Sequence, residues 1–146
     1  MKIAIGCDHA AYSVKDEISN FVSSLGHEII DCGTFSNDSV DYPLYGHKVG
    51  INVRDDIADM GIVICGSGIG ISIAANKIEN IRAALCTSVE HAVLSRQHND
   101  ANVLALGARI TKIEDIKDII KSWLMTDFDG GRHLERINLI EKNNYE

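Results

Sequence analysis

Basic residues are in short supply in this chain: 14 lysines and arginines stand against 21 aspartates and glutamates, for a formal net charge of −7. Such a deficit disfavours nucleic acid and anionic membranes as partners, because both call for a basic face that neutralises phosphates. A small anion is still accommodated where arginines cluster. Long apolar runs are missing as well. The longest, such as Ile62 to Cys65 and Val103 to Leu106, fall far below the roughly 20 residues of a membrane-spanning helix. At the start, Cys7-Asp8-His9 interrupts the apolar Met1 to Gly6 before it reaches signal-peptide length, so a cytoplasmic protein is expected. No C-x-x-C pair occurs; Cys7, Cys32, Cys65 and Cys86 are scattered and, without a secretory context, read as free thiols. Proline appears once, at Pro43, and there is no repeat, low-complexity tract or linker. What remains is 146 residues, 45% hydrophobic and 24% charged, enough for one sizeable core and too little for two. A single domain over 1–146 is expected.

Along that domain, strand and helix patterns alternate. Lys2 to Gly6 reads as a short buried strand, followed by apolar residues at Val14, Ile18, Phe21, Val22 and Leu25 with the spacing of one helix face. Gly26 stops that helix. Glu28 to Cys32 is a second strand, and Asp41-Tyr42-Pro43 opens a helix with Tyr45, Val49 and Val53 on one stripe. Further strands are expected at Ile62 to Cys65, Ile81 to Cys86 and Asn102 to Leu106. An Ala-rich helix spans Ile71 to Lys77, and Thr111-Lys112-Ile113-Glu114 reads as a capping box before Ile116, Ile120, Trp123 and Leu124. Gly130-Gly131 precedes a last, Arg-bearing helix from about residue 131. The alternation implies an α/β, doubly wound three-layer sandwich around a five-stranded parallel sheet, Rossmann-like in plan. Ligands of such sheets bind beyond the carboxyl ends of the strands, where all four cysteines are expected.

The chemistry concentrates at Ile62-Val63-Ile64-Cys65-Gly66-Ser67-Gly68-Ile69-Gly70, a strand, a glycine loop and a helix start. Glycines let a ligand approach the backbone, and the helix start offers unpaired N–H donors to an anion. The loop is neither G-x-G-x-x-G nor a Walker loop, which argues against nucleotides. A thiol at a helix N-terminus sits where the dipole favours thiolate; Cys65 therefore reads as a reactive thiol, with a packing residue as the alternative. Cys7, Cys32 and Cys86 read as packing residues. Asp8 is either a functional carboxylate or a helix cap. Arg132 and Arg136 share one helix face, either to grip a phosphate or as a solvated basic surface. His27, His47, His91 and His133 show no ligand spacing, and no metal site is expected.

Five motifs in order span the chain: Gly6-Cys7-Asp8-His9, Asp41-Tyr42-Pro43, Cys65 to Lys77, Ser95-Arg96-Gln97-His98-Asn99-Asp100 and Gly130-Gly131-Arg132-His133. Together they resemble the type B ribose-5-phosphate isomerases of the ribose/galactose-6-phosphate isomerase family. The resemblance implies an aldose–ketose isomerase without cofactor, in which Cys65 removes the C2 proton and Gly66, Ser67, Gly68, Ile69 and Gly70 stabilise the enediolate. It further implies ring opening by His98, substrate binding by Asn99, hydroxyl contacts from Asp8, and a phosphate held by His9, Arg132 and Arg136 with Arg109 as a further contact. One branch of the family places a glutamate base just after the loop, where this chain has Ile71, which cannot accept a proton.

Alternatives are an isomerase of a six-carbon sugar phosphate, such as allose 6-phosphate or galactose 6-phosphate, and a receiver-like binding module. The second is disfavoured because Cys65 stands where a receiver needs its phosphoacceptor aspartate. A spatial expectation follows as well. Cys65 ends the third strand, whereas His98 and Asn99 precede the fifth and belong at the opposite edge of a parallel sheet. A strand of five residues spans roughly 17 Å, so both can act on one substrate only across subunits. A homodimer with shared sites, possibly a tetramer, is expected, the last helix meeting substrate phosphate or a neighbouring subunit.

Overall fold

The computed structural model describes residues 1–142; residues 143–146, the end of the expected domain, lie outside the described residues. Its strands are β1 (Lys2–Cys7), β2 (Glu28–Asp31), β3 (Met60–Cys65), β4 (Ala83–Leu85) and β5 (Val103–Gly107). Its helices are α1 (Tyr12–Ser24), α2 (Tyr42–Arg54), α3 (Ile69–Ala75), α4 (Val89–Asn99), α5 (Ile113–Met125) and α6 (Arg132–Ile140). The strands form one parallel sheet in the order β2-β1-β3-β5-β4, the expected doubly wound sandwich. The last two strands are inverted relative to the 2-1-3-4-5 order of receiver-like folds.

This order fixes where the helices go. Right-handed crossovers running one way across the sheet put α2 and α3 on one face, and those running back put α1 and α4 on the other. The two cores agree. One joins Ile18, Val22, Ala92, Ile116, Ile120 and Trp123, and the other Val49, Val53, Ile71 and Ala75. Strand parity supplies the matching halves: Ile62 and Ile64 face the first core, Val63 and Cys65 the second. Each fully buried isoleucine removes enough apolar surface to contribute about 1.5–3 kcal/mol, and truncating Ile64 to alanine would cost about 2–5 kcal/mol. Cys65 therefore faces α2 and α3 because it is one residue out of step with Ile64.

Three local expectations give way. The third helix starts at Ile69, two residues early, because Gly68 (φ 78°) makes the turn alone. The capping box does not form. Thr111 N–H closes a turn onto the Gly107 carbonyl at 3.0 Å, so the helix begins one residue later, with Lys112 as N-cap. Strand β4 is only Ala83–Leu85, since Arg82 N–H donates to the Asn102 side chain at 2.8 Å; a short strand suits a sheet edge. Among the described residues, no helix is long and apolar enough to cross a membrane.

Candidate active site

The site begins where the chain leaves the sheet in opposite directions. After β1 it turns to α1 on one face, and after β3 to α3 on the other, so a crevice opens between the carboxyl ends of two adjacent strands. Cys65 lies on its β3 side. The left-handed Gly68 turns its N–H back to the Cys65 Sγ at 3.1 Å. A Cβ at Gly68 would stand 2.8 Å from the Leu106 carbonyl carbon, so only glycine fits. Ser67 Oγ accepts from Ile69 N–H at 3.2 Å. With α3 only seven residues long, the positive end of the site comes chiefly from loop and first-turn N–H groups, which have no intrahelical acceptors.

Asp8 and His9 face this loop from the end of β1. Asp8 is buried, its N–H donates to the Ile64 carbonyl at 3.2 Å, and its Oδ1 accepts from Ala10 N–H at 3.0 Å. It braces a tight turn and does not cap α1, whose N-cap is Ala11. His9 Nδ1 is held by the main chain of Val40, 3.1 Å from its nitrogen and 3.3 Å from its carbonyl oxygen. The end of β2 and the loop after it are clamped to α1: Lys15, almost fully buried in that helix, donates to both Asp31 oxygens at 2.8 and 2.7 Å and to the Thr34 carbonyl at 2.7 Å. From β5, Arg109 N–H donates to the Gly66 carbonyl at 3.0 Å. The Arg109 side chain lies so close that a Cβ on Gly66 would meet its Cδ at 3.3 Å.

The other cysteines are packing residues. Cys7 and Cys86 belong to the first core, and burial pushes both thiols up to about 11. Burial also raises Cys32, which packs in the second core. Of the four thiols, only Cys65 receives the N–H of a glycine loop.

His98 and Asn99 lie elsewhere. They end α4 at the amino edge of the sheet, five and four residues before β5 begins at Val103, as the strand geometry anticipated. Arg132 and Arg136, both exposed on α6, are with them. The phosphate set implied by the resemblance is thus divided within one chain: His9 and Arg109 stand at the carboxyl edge, Arg132 and Arg136 at the amino edge. His133 stacks on His98 with ring centroids 4.3 Å apart and planes 9° from parallel. Burial, followed by His98, Arg132 and Arg136, holds the His133 imidazole below its ordinary range. Donor atoms of His98, Asp129 and His133 come within 4.8 Å of one another. Arg132 and Arg136 flank this cluster on α6. Asn99 borders a cavity of about 640 Å³ shared with Ile78, Arg82, Ala101, Ile140 and Glu141.

Three contacts had no distinct signal in the sequence, although Tyr42 and His133 belong to two of the motifs that carry the resemblance. Tyr42 lays its ring against Gly70, where a Cβ would come within 2.5 Å of the ring; as a lone tyrosine at a helix start it looked like a boundary residue. His133 is 35 positions from His98, beyond any local periodicity. Lys15 shares the buried face of α1 with Ile18 and Val22, where lysine is rare.

Comparison with known proteins places these features in context. Residues 3–140 match the family model described as Ribose/Galactose Isomerase. The chain is 48% identical over 139 residues to ribose-5-phosphate isomerase B of Escherichia coli, covering 95% of this chain and 93% of that one. It is 43% identical over 137 residues to the galactose-6-phosphate isomerase subunit LacB of Clostridium acetobutylicum, covering 94% of this chain and 79% of that one. Among solved structures, the ribose-5-phosphate isomerase B of Clostridium thermocellum superposes with a TM-score of 0.95 at 52% identity, covering 97% of this chain and 95% of that one.

Proposed function

Because the chain belongs to the ribose/galactose isomerase family, we propose that it interconverts ribose 5-phosphate and ribulose 5-phosphate through an enediolate, with Cys65 as the proton-transferring base. The observation that carries this reading is the Cys65 sulfur held by Gly68 N–H at the mouth of the crevice that Asp8, His9 and Arg109 also border. His98 assists opening of the sugar ring, which frees the C1 aldehyde. The Cys65 thiolate then takes the C2 proton, and the electron pair left behind forms the C1–C2 double bond as the aldehyde oxygen becomes anionic. Return of the proton to C1, with the O2 proton passing to O1, gives the ketose.

The enediolate is the difficult species. N–H donors from the Gly66-Ser67-Gly68-Ile69-Gly70 loop, aimed at its oxygen, contribute about 3 kcal/mol each, or ~100-fold in rate. A positioned base adds about another 100-fold. Neither contribution calls on a metal or a redox cofactor. Asp8 holds substrate hydroxyls, while His9, Arg109, Arg132 and Arg136 bind the phosphate. Since His98, Asn99, Arg132 and Arg136 stand a strand length from Cys65, a complete site joins the carboxyl edge of one subunit to the amino edge of another. The active form is then a homodimer, possibly paired into a tetramer, of single-domain chains. The four free thiols suit the reducing cytoplasm.

A six-carbon reading is favoured by one finding, the 43% identity to a galactose-6-phosphate isomerase subunit. Comparing isomerisation of ribose 5-phosphate, allose 6-phosphate and galactose 6-phosphate decides between them. The pentose phosphate should give the highest kcat/KM, and a higher value for either hexose phosphate would reverse the assignment.

A further inference from the structure

The turn that presents His98 and Asn99 is held by two arginines to which the proposed mechanism gives no task. Asp100, the C-cap of α4, adopts a left-handed conformation (φ 43°), which costs a non-glycine residue about 1 kcal/mol or more. Arg96, buried over the Trp123 ring, donates to Asp100 Oδ1 at 2.8 Å and to the Ala101 carbonyl at 2.7 Å. Arg82 approaches from β4. Its Nε donates to the Asn99 carbonyl at 3.0 Å and its Nη2 to the Asp100 carbonyl at 2.9 Å. A cation here also matches the negative end of the helix. The remaining nitrogen of Arg82, Nη1, reaches Glu141 Oε1 at 2.5 Å, and Glu141 is the C-cap of α6. One guanidinium thus touches the backbone that presents His98 and Asn99 and the end of the helix that bears Arg132 and Arg136. The same two helices also meet through the His98–His133 stack, and the segment leading into α6 is tied to α4 by Asp129 N–H on the Gln97 carbonyl at 3.1 Å.

We propose that Arg82 is a positioning residue: its latch to Glu141 sets α6 on the end of α4, so that the phosphate arginines and the ring-opening histidine are held at a fixed spacing. This rests on the functional reading above, in which those residues meet one substrate molecule. Glu141→Gln weakens the latch while leaving the bonds of Arg82 to Asn99 and Asp100 in place. In the full-length chain it should raise KM for ribose 5-phosphate about fivefold with kcat falling less than about threefold. The imidazole proton resonances of His98 and His133, displaced by each other's ring currents, should move toward ordinary shifts. Arg82→Gln releases the turn as well, and kcat should then fall about tenfold on top of the KM effect. If Arg82→Gln does not fold, Glu141→Gln alone decides. An unchanged KM, or unmoved imidazole resonances, in folded Glu141→Gln overturns the latch. The resonances need no turnover to be read. Wild-type protein that fails to isomerise ribose 5-phosphate therefore removes the functional reading, while the imidazole shifts still decide whether Glu141 holds the histidine pair.

Discussion

At the carboxyl edge of the sheet, Cys65, Asp8 and His9 are held by main chain: Gly68 N–H on sulfur, Ala10 N–H on the carboxylate, Val40 N–H on the imidazole. At the amino edge, His98, Asn99 and the α6 arginines are held through side chains: the imidazole stack, Arg96 on Asp100, and Arg82 on Glu141. The difference follows the task proposed for each. An enediolate oxygen is stabilised by small dipoles fixed before the reaction, which peptide N–H groups in a rigid loop supply without reorganisation. A phosphate is held by full charges on long side chains, which must be braced if they are to stay in register. The carboxyl edge is therefore intolerant of a Cβ at Gly68, which would meet the Leu106 main chain, whereas the amino edge should respond in a graded way to the loss of single contacts.

The sharpest break in this comparison is Cys65→Ala. Exchange of the C2 proton with deuterated solvent should fall by about 100-fold or more, while a phosphate-bearing ligand still binds. Near-normal washout of label from that variant would remove Cys65 as the base. Next comes the joining of the two edges. Inactive Cys65→Ala and His98→Ala chains, dissociated and reassociated together, form hybrids in about half of all dimers, each with one intact site, so activity should return to about a quarter of wild type. No recovery despite demonstrated exchange would mean that each site belongs to one chain.

A smaller effect is expected from the phosphate arm. Arg132→Ala and Arg136→Ala each remove charged hydrogen bonds worth about 1.5–3 kcal/mol, so KM should rise about tenfold or more with kcat less affected. Unchanged KM in both would put the phosphate elsewhere. The smallest effect concerns stability. His133 is held below its ordinary value of 6.5, first by burial and then by His98, Arg132 and Arg136. As pH falls through that value the unfolded chain takes up more protons than the folded one, and stability drops. His133→Asn should make the decline of Tm between about pH 7 and 5.5 shallower; an identical slope would show that His133 does not titrate in that way.

How legible each edge was in the sequence depends on how local its physics is. The glycine loop, Cys65 and the Asp8-His9 turn stand directly after apolar strands, so their place at the carboxyl ends follows from chain order. The distance between Cys65 and His98 also followed, because a parallel sheet sends each helix back to the amino edge. The capping box gave way to a turn in which Thr111 N–H donates to the Gly107 carbonyl; the bond itself is local, but Gly107 packs under the distant Ser67 backbone. Lys15 stands on the buried stripe of α1 with Ile18 and Val22, and its partners Asp31 and Thr34 are brought to it only by β2 and the loop after it.

By itself, then, the sequence determined the alternation of strands and helices, the residue parity that turns Cys65 toward the second core, and the thiol-and-glycine chemistry of one edge, because each depends on neighbours a few positions apart. Only the tertiary structure decided that β4 lies outside β5, that His133 stacks on His98, and that Arg82 links the ends of α4 and α6. Those contacts join residues 17 or more positions apart, or set the order in which strands insert, and no periodicity in a chain encodes the partner it will meet across a sheet.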